Sequence, residues 1–179
     1  MALVKARVEA VKWHNAQKQT RLLEAKDRAE QTLSQIDSID GNIRELAFAM
    51  LYLGEGSKKK IETSLGNTDP LILKFFVKML VNHFGVDPSK IKCALHLRND
   101  QNSVQMKEYW AAELGLTMAN FTTVVKDKRT AGIRSYDGYK GVCVVNCGKV
   151  EIQRKMVYLS RAYCERVICA LSSIGRALR

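Results

Sequence analysis

Hydrophobic and polar positions divide the chain into two kinds of sequence. Residues 2–37 contain neither glycine nor proline and are rich in Ala, Glu, Lys, Gln, Arg and Leu. That composition predicts one long helix, or two in series. Its apolar stripe is thin, consisting of Leu22, Leu23, Ala29 and Leu33, so the segment reads as an arm that packs on the main body or on a partner chain. Ser38 to Asn42 breaks the pattern and supplies N-cap residues. A helix then runs from about Ile43 to Leu53 and ends at Gly54-Glu55-Gly56. Leu46, Ala47, Phe48, Ala49, Met50, Leu51 and Leu53 make it apolar nearly all round, which predicts burial on several sides.

Beyond it, alternating and amphipathic runs take turns. Lys60 to Leu65 alternates like a strand with one buried face. Asn67-Thr68-Asp69-Pro70 predicts a helix start with proline in the first turn, and Leu71 to Phe84 an amphipathic helix stopped by Gly85. Ile91 to Arg98 is the clearest strand: Ile91, Cys93, Leu95 and Leu97 point one way, Lys92, Ala94, His96 and Arg98 the other. Residues 103–114 read as helix, Phe121–Lys128 and Gly141–Cys147 as strands, and Lys149–Leu178 as a long final helix. The predicted order is one helix, then α-β-α-β-α-β-β-α. That order predicts an α+β fold, with residues 1–40 as a helical arm and residues 41–179 as the main domain.

Charge narrows the choice of partner. The 29 basic and 18 acidic residues leave a formal charge of +11, which suits nucleic acid or an acidic membrane surface. No uninterrupted run of about 18 apolar residues predicts a membrane span, and Met1 to Gln17 lacks the apolar core of a signal peptide. The expectation is a cytoplasmic protein with no membrane partner. Five cysteines, an odd number, read as free thiols used as small core residues. Cys143-x3-Cys147 is not the usual zinc spacing, and His14, His83 and His96 are scattered. The sequence has no P-loop, dinucleotide fingerprint or nucleophile elbow, so Ser/Cys/His hydrolase chemistry has no support.

The segment Leu46-Ala47-Phe48-Ala49-Met50-Leu51-Tyr52-Leu53-Gly54-Glu55-Gly56 resembles the signature helix of LAGLIDADG homing endonucleases. Phe48 to Gly56 lies under the nine letters that name the family. The strand that follows, Asn67-Thr68-Asp69-Pro70 and the helix ending His83-Phe84-Gly85-Val86 fit a single-motif, small prokaryotic branch. The resemblance covers about residues 43–147. It implies a mixed sheet with packed helices in a DNA-binding saddle. It also implies pairing of two signature helices, here through residues 43–55 of a homodimer, and a carboxylate at each helix end that holds Mg2+ or Mn2+ for site-specific cleavage of double-stranded DNA. Glu55 maps onto that metal-binding, catalytic carboxylate. Met50 stands where the family often has glycine, and Phe48 is bulkier than many relatives show. Both set paired helices further apart. The same fold could serve a non-catalytic DNA-binding regulator or an assembly module.

Other candidates surround this motif. Lys58, Lys59 and Lys60 follow Gly56 and suit phosphate contacts. Asn67 falls where relatives keep a polar side chain near the catalytic metal, and it equally suits capping the helix at Pro70. Lys92, His96 and Arg98 share one strand face that could read base edges, with Glu62 and Ser64 expected on the equivalent face of the preceding strand. Lys126, Lys128, Arg129, Arg134, Tyr136, Tyr139 and Lys140 form a basic run with interleaved tyrosines, a composition suited to a nucleic-acid backbone.

Overall fold

The computed structural model describes the backbone of residues 2–177 and the side chains of residues 7–173. The chain divides into two compact units, Met1–Ile43 and Arg44–Arg179. In the first, α1 spans Ala2–Leu33 without a break. Helix formers supply its intrinsic stability, and the side chains from Arg7 to Leu33 are exposed except Gln17, which is half-buried.

Helix α2 is Gly41–Glu55. Asp40 caps it, its carboxylate accepting from the amides of Asn42 and Ile43 at 2.7 and 2.9 Å. Only one face of α2 is buried, through Phe48, Ala49 and Tyr52. The expected burial on several sides does not hold within one chain: Ala47, Met50 and Gly54 are exposed on the other face. Phe48 packs inward, its ring 5.3 Å from that of Phe76 and 5.5 Å from that of Phe84. Its bulk is therefore absorbed by the core and does not hold off a second helix, as the sequence had suggested.

Strand β1 is Ser64–Asn67, later than the expected Lys60–Leu65. Helix α3, Pro70–Lys78, is capped by Asp69 and continues as a π-helical turn, Met79–His83. Strand β2, Lys92–Arg98, leads into α4, Ser103–Leu114. Strand β3 is Phe121–Asp127 and β4 is Val142–Asn146. Helix α5, Val150–Ala177, follows. The fold is α+β, with a four-stranded mixed sheet in the order β1-β4-β2-β3. The β1/β4 and β4/β2 pairs are antiparallel and β2/β3 is parallel, the latter made possible by the α4 crossover.

Alternation sorts the sheet into two faces. Leu65, Cys93, Leu95, Leu97, Phe121, Cys143 and Val145 are buried in one core with residues of α2, α3 and α4. The opposite face carries Lys92, Ala94, His96 and Arg98 of β2, beside Val142, Val144 and Asn146 of β4, and these side chains are half-buried to exposed. All five cysteines are free: Cys93, Cys143 and Cys147 are buried, Cys164 is half-buried and Cys169 is exposed. The thiol of Cys143 is held far up its scale by its hydrogen bond with Cys93 and by burial, which keeps it protonated and inert. Among the described residues, no helix is long and apolar enough to cross a membrane.

Candidate nucleic-acid interface

A cleft of about 500 Å³ opens where the exposed sheet face meets the segment after β3. His96, Arg98, Lys126, Lys128, Arg129 and Tyr139 line it, so it gathers six of the candidates from three separate stretches of sequence. Its one carboxylate, Asp127, is occupied. Arg129 donates to it through two guanidinium nitrogens, both at 2.9 Å. These bonds, then the Arg129 amide, hold the Asp127 carboxyl below its usual range. Lys126 donates to the carbonyl of Asn99 at 3.2 Å, which satisfies a proton and leaves its charge unbalanced. The Nε of Arg98 is buried and has no acceptor among the described residues. A shielded guanidinium donor without a partner is costly unless something supplies an oxygen.

The loop beside the cleft is anchored. Ser135 donates to Asp100 through its amide and hydroxyl at 2.7 and 2.8 Å, and the Ser135 amide, then its hydroxyl, pull the Asp100 carboxyl down. Gln101 donates to the carbonyl of Tyr139 at 2.9 Å, and the Trp110 indole to that of Lys140 at 2.9 Å. Gly141 ends the loop at φ 77°, and a Cβ there would lie 2.5 Å from Leu97 and 2.9 Å from the carbonyl of His96. Only glycine lets the loop lie this close to β2. Tyr136 and Tyr139 pack with ring centroids 4.9 Å apart, and Tyr136 is exposed. Arg134 is exposed, and the ammonium of Lys140 lies 5.4 Å from the Tyr109 ring.

Helix α2 ends at the opposite edge of the sheet. Gly56 bridges to Leu65 of β1, so Glu55 and the cleft are separated by three to four strand spacings of about 4.8 Å. Gly56 is fixed by the ring of Tyr52, which a Cβ would meet at 2.6 Å. Glu55 is exposed. A carboxylate at a helix C-terminus needs compensation, and Lys58 supplies it by donating to the carbonyl of Leu53 at 2.7 Å. Lys59 and Lys60 are exposed. Among the described residues no group of three or more His, Cys, Asp or Glu side chains is placed to hold a metal ion. Asn67 is half-buried, and its carboxamide oxygen accepts from the amide of Asp69 at 2.9 Å. Its observed bond shapes the turn into α3.

Glu62 and Ser64 do not share a strand face. Glu62 lies in the loop before β1, where it accepts from the side chains of Asn146 and, at 3.3 Å, Ser64, and pairs with Lys60 at 3.5 Å. Ser64 is 3% exposed beneath it and is no surface contact. The loop from Ser57 to Thr63 is held by residues the sequence did not single out. Gln153 of α5 donates to the carbonyls of Ser57 and Lys60, each at 2.7 Å. The Tyr52 hydroxyl donates to Ser57 at 2.6 Å, and its burial raises its own ionisation range. Thr63 donates to Lys149 and accepts from the Gln153 amide. Asp127 is the other unforeseen contributor, since a carboxylate inside a basic run gives no sign in the sequence that it orients an arginine.

Comparison with protein-family models, with curated proteins and with solved structures gives no match for this chain.

Proposed function

We propose that this protein binds double-stranded DNA across the exposed face of its sheet, with the cleft at Arg98 and Lys128 receiving backbone phosphate. The observation that carries this reading is the cleft itself. Four cations line it against one carboxylate already taken by Arg129. Phosphate oxygens would neutralise the surplus charge of Arg98, Lys126 and Lys128. Lys92 and His96, on the same face, would then reach base edges, and Lys58, Lys59 and Lys60 would meet backbone at the far edge.

Cleavage is the second half of the proposal. Glu55 fits a divalent ion only as one of two carboxylates, because one exposed carboxylate makes a poor site. A homodimer through α2 would supply the other. Ile43, Ala47, Met50 and Gly54 follow a four-three-four spacing along the exposed side of that helix, and a Cβ at Gly54 would meet nothing. Two such faces could approach closely. Bound Mg2+ or Mn2+ would activate water and stabilise the leaving oxygen. One observation favours the non-catalytic reading, a regulator or assembly module: Lys58 already satisfies the end of the signature helix, so Glu55 needs no metal for stability.

The test selects bound duplexes from a random pool and incubates each with Mg2+ or Mn2+. The endonuclease reading expects cleavage that Glu55→Gln abolishes while affinity is retained. Tight binding with intact DNA at every metal level assigns the non-catalytic role. Absence of any duplex binding ends the proposal as a whole.

A further inference from the structure

The arm carries a surface of its own. Val8, Val11, Leu22, Ala25 and Ala29 fall on the a and d positions of one heptad frame along α1. Asn15 takes an a position and Lys18 a d position. Val8, Val11 and Leu22 are 47%, 54% and 52% exposed, so the seam is open. Charge is sorted about it. Arg7, Arg21 and Arg28 occupy g positions and Lys12 and Lys26 occupy e positions, while Glu9, Glu24, Asp27 and Glu30 all fall at b, c or f. Both edges of the seam are basic and every acid of the helix lies outside it. Two of the basic residues touch acids on the same helix, Lys12 with Glu9 at 2.9 Å and Arg28 with Glu24 at 3.6 Å. Exposed pairs of that kind are weak and yield to a better partner.

We propose that α1 docks an acidic amphipathic helix of another protein as a two-stranded coiled coil. Residues at e and g choose the partner in such assemblies. A second copy is the wrong choice, because a parallel pair would set Arg7 against Lys12 and Arg21 against Lys26. Antiparallel packing would set basic edges against each other as well. Nucleic acid would satisfy the basic edges but leave the valines and leucine between them with no apolar surface to cover. Asn15 within the seam would fix the register of the pair.

The test uses the full chain and a labelled synthetic helix about four heptads long. This probe carries leucine at a and d, asparagine opposite Asn15, and glutamate at every e and g. A twin peptide carries lysine at those positions. By fluorescence anisotropy the glutamate peptide should bind at least tenfold tighter than the lysine peptide. Arg21→Glu with Lys26→Glu should cut that preference severalfold, since Arg7, Lys12 and Arg28 then remain basic at the edges of the seam, and Leu22→Glu should abolish binding of both peptides with the helical circular dichroism retained. Failure to discriminate between the peptides overturns the proposal. So does a concentration-dependent doubling of mass that Leu22→Glu removes, which assigns the seam to a second copy. Loss of duplex affinity in the charge-swapped arm, with neither peptide bound, assigns it to nucleic acid.

Discussion

At Glu45, burial, charge and pairing compete on one side chain. Burial pushes its carboxyl upward, but the Lys155 ammonium and the His83 ring prevail and hold it below the ordinary glutamate range. The contacts are 3.0 Å to His83 and 2.5 Å to Lys155, so α2, the end of α3 and α5 meet at this one carboxylate. A depressed folded-state value stabilises the fold above the unfolded value and is lost as pH falls through the folded one. Glu45→Gln, which keeps the shape, should therefore cost about 1–2 kcal/mol at neutral pH. The gap from wild type should narrow below about pH 4.5 as the native carboxylate takes up its proton. Thermal unfolding of both proteins at pH 7 and pH 3.5 measures this, and a constant gap would remove the ion pair as the cause. Nothing local marks Glu45 in the sequence. It is one of many helical glutamates, and its partners lie about 40 and 110 residues further along.

Among the elements, those with strong local signals form as their residues predict. Strand β2 keeps its alternation because every second side chain enters the core. Helix α3 begins at proline behind a capping aspartate, and α4 ends at Gly115 with φ 64°. The exception is the run from Lys60 to Leu65, whose alternation is as regular as that of a strand. It becomes a loop through Thr63 because Gln153, from a helix far along the chain, satisfies the carbonyls of Ser57 and Lys60 that a neighbouring strand would otherwise meet. A side chain can replace a strand partner only where tertiary packing delivers it, and periodicity carries no record of that. Gln153→Leu removes both bonds from a buried position and should destabilise the protein by about 1–3 kcal/mol. Chemical denaturation measures the loss. Hydrogen exchange should rise first between Ser57 and Thr63. Uniform exchange across the molecule would mean that the loop is held by other contacts.

The charge of the whole molecule is unevenly divided. Residues 1–40 hold seven basic and six acidic residues, leaving twenty-two basic and twelve acidic residues for 41–179. The surplus thus belongs to the unit that holds the sheet. The sequence shows that surplus and the basic run from Lys126 but not where Arg98 joins it, because the parallel pairing of β2 with β3 alone sets Arg98 beside Lys126 and Asp127. If duplex DNA neutralises these groups, each phosphate contact releases counterions, and log affinity falls linearly with log salt at a slope near −0.9 per contact. Replacing Arg98 and Lys128 together by glutamine should flatten that slope by about two and weaken binding to all sequences alike. Glutamine at Lys12 and Lys26, on the arm, should leave the slope unchanged. Lys92→Gln separates positioning from reading: a lost phosphate contact would flatten the slope by about one, whereas a lost base contact would alter sequence preference at constant slope. The measurement is binding across a salt series for each variant against one selected duplex and one unrelated duplex. A slope that moves with the arm substitutions and ignores those in the cleft would transfer the DNA-binding surface from the sheet to α1.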